Sequence, residues 1–221
     1  MVISPNFSWQ EIDKLFLDMD GTLLDKYFDD YFWEQFVPET YAKKNGIDFT
    51  SAKTVLMNTY RSVESTLVWT DLDYWAERLG LDIPHLKKEI DHLVQIRPHV
   101  LPFLDHMKAM GKDLYLITNA HPKALAVKMD KVNIRGYFKQ IICSQDVGVA
   151  KEQVEFWDRL QQLLPYDRTR TIFADDTENV LFSAKEYGIR HLVHIAKPSS
   201  KLATKYSTHF PSIASFGELP S

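Results

Sequence analysis

Phe16-Leu17-Asp18-Met19-Asp20-Gly21-Thr22-Leu23-Leu24-Asp25 places two carboxylates, two residues apart, directly after the apolar run Lys14-Leu15-Phe16-Leu17. That spacing puts both acids on one side of an extended chain. Two carboxylates a few ångströms apart raise each other's pKa unless a cation intervenes. The pair therefore suits a divalent-metal site, or a division of labour between an ionised nucleophile and a proton carrier. Gly21 lets the backbone turn sharply, and Thr22 is expected to tie the turn down through its hydroxyl. Two acids beside a glycine also describe an ordinary turn. A calcium loop is discarded, because an EF-hand needs carboxylate or amide ligands at positions 1, 3 and 5 with glycine at position 6. Here Gly21 falls at the fourth position and Thr22 at the fifth.

Outward from this stretch, four further apolar runs have the length of buried strands. Leu114-Tyr115-Leu116-Ile117 ends on Thr118, and Thr171-Ile172-Phe173-Ala174 ends on Asp175. His191-Leu192-Val193-His194-Ile195 and Gln140-Ile141-Ile142-Cys143 complete the set. Helix-like segments lie between them at 122 to 132, 152 to 164 and 177 to 187, opened or closed by Pro122, Pro165 and Gly188. This alternation predicts an α/β fold, a Rossmann-like parallel sheet with helices on both faces. Ligands of such sheets bind outside the carboxyl ends of the strands, where Asp18, Thr118 and Asp175 would gather.

Residues 27 to 97 break the alternation. They read as successive amphipathic helices at about 28–45, 50–66, 71–80 and 84–95 without a convincing strand. A helical cap (27–97) inserted after the first strand of a core (1–26 and 98–221) is the expected organisation. The tail from Lys197 to Ser221 is compatible with wrapping the core or with a loose end.

The composition narrows the function. The chain has 221 residues, 45% hydrophobic and 25% charged, with a net charge of -4 and no long basic run, which disfavours nucleic acid as a partner. One cysteine, Cys143, cannot form an internal disulfide. Neither a signal-peptide pattern nor a membrane-length apolar stretch is visible, so a cytoplasmic, soluble protein is expected.

Asp18-Met19-Asp20-Gly21-Thr22 resembles the DxDGT motif of the haloacid-dehalogenase-like superfamily, most of whose members are aspartate-nucleophile phosphatases. The dehalogenases of that superfamily lack the second Asp, so Asp20 points to phosphoryl transfer. Thr118 in Leu116-Ile117-Thr118-Asn119-Ala120 matches the second motif, and Lys151 in Val149-Ala150-Lys151-Glu152 the third. Glu152 stands where a proline commonly follows that lysine. Asp175-Asp176 matches the acidic fourth motif. The segments Phe28–Trp33, Leu72–Trp75, Leu79–Ile83 and Thr118–Pro122 are similar to the bacterial GMP/IMP 5'-nucleotidases of the superfamily.

The resemblance implies a chemistry. Asp18 would attack phosphorus to form an aspartyl-phosphate, and Asp20 would act as general acid and then general base. Asp18, the Asp20 carbonyl and Asp175 would hold magnesium, with Asp176 behind them. Lys151, Thr118 and Asn119 would bind the phosphoryl oxygens. It also implies a small phosphate monoester as substrate, of the purine nucleotide class, with sugar phosphates or phosphoglycolate as the alternative. A non-catalytic phospho-ligand binder is the remote alternative, disfavoured because Asp18, Asp20, Lys151 and Asp175 are all present. Trp33, Tyr60, Arg61, Trp69, Tyr74 and Trp75 offer aromatic faces and a cation in the cap, although aromatics at helical spacing usually fill a core.

Overall fold

The computed structural model describes residues 3 to 219. Six strands form one parallel sheet: β1 (Lys14–Leu17), β2 (Asp113–Thr118), β3 (Gln140–Cys143), β4 (Thr171–Asp175), β5 (His191–Ile195) and β6 (Ser212–Ile213). Their order is β3-β2-β1-β4-β5-β6. β1 therefore lies between β2 and β4, with Leu17 aligned to Leu116 on one side and Ala174 on the other. The order reverses at β1, which opens the ligand crevice of a doubly wound sheet at its carboxyl end.

Side chains alternate across the sheet as a two-residue period requires. Leu15 and Leu17, Leu114 and Leu116, Ile172 and Ala174 pack into one apolar layer, while Phe16, Tyr115, Ile117 and Phe173 pack into the other. The first layer is continuous with the residues between β1 and β2, including Phe28, Phe32, Trp75 and Ile83.

Those residues begin with α1 (Tyr27–Tyr31), which passes through a π-helical turn (Phe32–Phe36) into α2 (Val37–Asn45). Then come α3 (Phe49–Arg61), α4 (Leu67–Thr70), α5 (Leu72–Leu79), α6 (Ile83–Glu89) and α7 (Val100–Ala109). The chain into and out of this helical segment runs side by side: Asp25 N–H donates to Gln95 O (2.9 Å) and Arg97 N–H to Leu23 O (3.0 Å). The helix expected to run to residue 66 ends at Arg61, and α4 follows a turn in which Ser65 has φ +62°.

α7 has no counterpart among the helices expected from the sequence. Pro98 and Pro102 punctuate its start, yet Pro102 falls in the first turn, where a missing N–H costs nothing. Val100, Phe103, Leu104 and Met107 bury its inner face. After β2 come α8 (Pro122–Lys131) and, beyond β3, α9 (Ser144–Val147) and α10 (Val154–Leu163). α11 (Glu178–Tyr187) follows β4.

The tail wraps the core, with Pro220 and Ser221 outside the described residues. It contributes β6 beside β5, and Arg97 clamps it by donating to Lys197 O (2.7 Å) and Ala214 O (2.9 Å).

Candidate active site

Three adjacent strands deliver the acidic and hydroxyl groups. Asp18 directly follows β1 and its N–H donates to Ala174 O (3.0 Å), which continues the pairing with β4 by one residue. Thr118 closes β2 and Asp175 closes β4. Asp18, Thr118 and Asp175 are buried, and all three line a cavity of about 550 Å³.

The turn after Asp18 is closed by backbone. Leu23 N–H and Leu24 N–H donate to Met19 O (2.9 and 2.8 Å), and Gly21 N–H donates to Leu24 O (2.8 Å). The expected Thr22 tie is absent: its hydroxyl is buried with no hydrogen-bond partner among the described residues, and Arg97 instead grips the Thr22 carbonyl (2.7 Å). Gly21 is needed for a spatial reason as well as for its φ of +88°, because a Cβ there would lie 2.5 Å from Asp176 Oδ2.

Lys151, reached through the loop after α9, is 2% exposed and spans two strand ends. Its ammonium donates to Asp18 Oδ1 (2.6 Å), Asp175 Oδ2 (2.7 Å) and Ile117 O (3.2 Å). Burial works against the charged lysine, but Asp175 and Asp18 outweigh it and raise its pKa. Asn119 fixes this loop: its Oδ1 accepts from Lys151 N–H (3.0 Å), and its Nδ2 donates to Glu152 Oε2 (2.9 Å). Glu152, which departs from the common motif, thus locks the Asn119 amide that holds the lysine's backbone. Thr118 Oγ1 accepts from Ala120 N–H (3.0 Å) and does not cap α8; His121 Nδ1 is the cap, accepting from Lys123 N–H (3.3 Å).

Asp18, Asp175 and Asp176 bring carboxylate oxygens within 4.8 Å of one another, an arrangement that can hold a metal ion. Asp175 Oδ1 accepts from Thr177 N–H (2.8 Å), while Asp176 Oδ2 pairs with Lys26 (2.9 Å). Asp176 thus belongs to the same cluster as Asp175. Two ammonium groups face three carboxylates, which leaves negative charge unmatched in a buried site. Asp18 Oδ2 is buried without a hydrogen-bond partner among the described residues, as a ligand awaiting a cation would be. Burial raises the pKa of Asp18 and of Asp175 against the opposing pull of Lys151. The donor set is all oxygen, which suits a hard divalent cation.

Asp20 sits apart from that cluster. Its Oδ2 pairs with Lys128 on α8 (2.6 Å), and burial lifts its pKa to about 7 against the pull of Lys128. Lys128 in turn pairs with Asp29 (2.6 Å), and Asp29 with Lys87 (2.8 Å). Sequence reasoning missed Lys26, Lys128 and Lys87. A signal existed for Lys87, because Ile83, Leu86, Lys87 and Ile90 mark one helical stripe and all four are buried.

Of the aromatics between β1 and β2, Trp33, Tyr60 and Trp69 line the cavity together with Arg61, whereas Tyr74 and Trp75 do not. Trp75 is core: its ring meets Trp33, Tyr60, Trp69 and Tyr74 edge-on, and its Nε1 donates to Trp69 O (2.8 Å). His121 lines the cavity 3.6 Å from Asp71.

A parallel sheet of this order, with an acidic cluster and a buried lysine at the end of β1, defines a hydrolytic enzyme built on a doubly wound sheet. The profile of the haloacid dehalogenase-like hydrolases matches residues 12–188, and the chain belongs to that family. It is 38% identical over 214 residues to the GMP/IMP nucleotidase YrfG of Escherichia coli, covering 97% of this chain and 96% of that protein. Identity to the pyrimidine 5'-nucleotidase YjjG of E. coli is 27%, over 77% of this chain and 71% of that one. A haloacid dehalogenase-family phosphatase from Thermococcus onnurineus shares the fold with a TM-score of 0.75 at 21% identity, covering 94% and 95% of the two chains.

Proposed function

We propose that the protein is a magnesium-dependent phosphomonoesterase that forms an aspartyl-phosphate on Asp18 and acts on 6-oxopurine nucleoside monophosphates. The observation that carries the reaction class is the state of the Asp18 carboxylate. Lys151 holds one oxygen at 2.6 Å while the other, buried and unpartnered among the described residues, belongs to the acidic cluster.

Asp18, the Asp20 carbonyl and Asp175, with Asp176 beside them, would hold the ion. Bound there, magnesium would supply Lewis-acid stabilisation of charge on the phosphoryl oxygens. One Asp18 oxygen forms a bond to phosphorus as the bond from phosphorus to the 5' oxygen breaks. Asp20 donates its proton to that departing oxygen, for which a carboxyl titrating near neutrality is suited. It then takes a proton from the water that attacks the phosphorus of the aspartyl-phosphate, regenerating Asp18 and releasing phosphate. Lys151 orients Asp18 and offsets charge on the transferring group, and Asn119 keeps Lys151 in place.

The leaving group is read from the rest of the cavity. Trp33, Tyr60 and Trp69 provide flat apolar surface for a purine, and Arg61 provides the cation. Guanine and hypoxanthine both present the O6 and N7 acceptors that an arginine engages in pairs, whereas adenine presents a donor at position 6. The identity to YrfG across nearly the full chain supports the same class.

Phosphate release from a panel of GMP, IMP, AMP, sugar phosphates and phosphoglycolate tests this function. GMP and IMP should lead, D18N should be inactive while folded, and excess chelator should abolish turnover. Full activity in D18N would overturn the reaction class, and preference for a sugar phosphate would overturn the substrate class.

A further inference from the structure

The proposed hydrolysis makes no use of two buried lysines, Lys128 and Lys87, or of the half-buried Asp29 between them. They join Asp20 in one chain. Lys128 Nζ lies 2.6 Å from Asp20 Oδ2 and 2.6 Å from Asp29 Oδ2, and Lys87 Nζ lies 2.8 Å from Asp29 Oδ1. Both lysines are 2% exposed or less. Lys87 is capped by aromatic faces, with its ammonium 4.2 Å from the Phe32 ring centre and 4.8 Å from that of Phe28. Asp29 lies on α1 and Lys87 on α6, both in the segment between β1 and β2, while Lys128 lies on α8, beyond β2.

Two lysines taken out of water against two half-buried carboxylates are a costly way to hold helices together. Apolar residues of similar volume do that at least as well, so a buried ionic chain is weak evidence of a purely stabilising role. All four groups line the cavity, and the chain terminates on Asp20, the carboxyl assigned the proton transfer. Asp20 has rotamers to choose from, and a proton donor must sit within hydrogen-bond reach of the oxygen it serves.

We propose that Lys128 is a positioning residue for Asp20, itself fixed by Asp29 and Lys87, so that proton delivery to the leaving oxygen depends on the cap helices being docked. The inference rests on the reading of Asp20 as the acid that protonates the leaving group.

That role has a signature in the leaving group. A nucleoside 5'-alkoxide needs the proton from Asp20 as its bond to phosphorus breaks, whereas p-nitrophenolate departs without one. The test compares kcat/KM for GMP with kcat/KM for p-nitrophenyl phosphate, with magnesium in excess. The variant is K128M/D29N, which removes one positive and one negative charge and leaves the net charge of the chain unchanged; Lys87 keeps the Phe28 and Phe32 ring faces and an amide oxygen at position 29 in place of the carboxylate. D20N calibrates the effect, and D29N alone is a milder probe that keeps Lys128 on Asp20.

The ratio of the two kcat/KM values, GMP over p-nitrophenyl phosphate, should fall at least about tenfold in K128M/D29N. The change should run in the direction set by D20N, with a smaller fall in D29N. Equal losses on both substrates, or an unchanged ratio, would overturn the proposal and leave the chain a structural staple. If the double variant does not fold, an unchanged ratio in folded D29N overturns the proposal and a selective fall supports it. An unchanged ratio in D20N would overturn the acid role of Asp20 and this inference with it. A lowered ratio in D20N beside an unchanged one in K128M/D29N would overturn this inference alone.

Discussion

Lys151→Met removes the ammonium that separates Asp18 from Asp175. Its two ion pairs measure 2.6 and 2.7 Å and the side chain is 2% exposed, so neither carboxylate has water to fall back on. Stranding the partners of a buried pair costs about 3–5 kcal/mol. For a chain of this size, each kcal/mol moves the melting temperature by about 2–4 °C, so the variant should melt roughly 6–20 °C lower in chelator. The pH dependence has a definite sign. Burial already raises the pKa of Asp18 and Asp175, and Lys151 is the largest opposing influence on both. Without it their folded pKa values rise further above the ordinary 3.8. A folded state that binds protons more tightly than the unfolded chain loses stability as pH rises above that value, so the deficit should be larger at pH 8 than at pH 5. Magnesium should recover more of the melting temperature in K151M than in the native protein, because a divalent cation in the carboxylate cluster replaces the missing charge. Thermal melts at both pH values, with chelator and with magnesium, provide the readout. An unchanged melt, a deficit that shrinks at pH 8, or indifference to magnesium would refute the reasoning.

Gly21→Ala should destabilise the fold by about 2–5 kcal/mol, combining left-handed strain of about 1–2 with overpacking of about 1–3, as read from denaturant midpoints. Its methyl group would also displace Asp176, 2.5 Å away, so the magnesium concentration for half-maximal activity should rise; an unchanged value would count against Asp176 as part of the metal site. Cys143 is buried and its thiol is pushed up to about 12, by burial first and by Asp146 second. At pH 8 it should react with iodoacetamide only after denaturant is added, and rapid labelling of the native protein would contradict its burial. R61M should lower the preference for GMP over AMP by about 5–150-fold, the value of about 1–3 kcal/mol for one paired arginine contact, measured as a ratio of kcat/KM. A preserved ratio would remove Arg61 from base recognition.

Much of the candidate site is legible in the sequence because β1, β2 and β4 are short buried runs whose ends carry a polar residue. That pattern places Asp18, Thr118 and Asp175 at strand ends, and the sheet order makes the three strands neighbours. The lysine chain was not legible in the same way. Burial of Lys87 and Lys128 is made tolerable by pairing with Asp29, 58 and 99 residues away in sequence, and with Asp20, and no local spacing announces those pairs. Thr22 was misread because a turn hydroxyl is ordinarily a local tie, whereas here backbone bonds and Arg97 close the turn. β6 escaped notice because two residues carry no periodicity; β5 and the Arg97 clamp hold it in place. The division between cavity-lining and core aromatics also depends on tertiary context. Trp69 and Trp75 are six residues apart; Trp75 is turned inward, where its Nε1 donates to Trp69 O, while Trp69 lines the cavity.

The proposed aspartyl-phosphate on Asp18 is tested most directly by acid-quenching the enzyme during turnover of GMP with magnesium and sequencing its peptides by mass spectrometry. A phosphoryl group should appear on Asp18, in the peptide that also carries Asp20, and should be missing from D18N. Brisk turnover with no phosphoryl group on the protein, or with one on another residue, would contradict the mechanism.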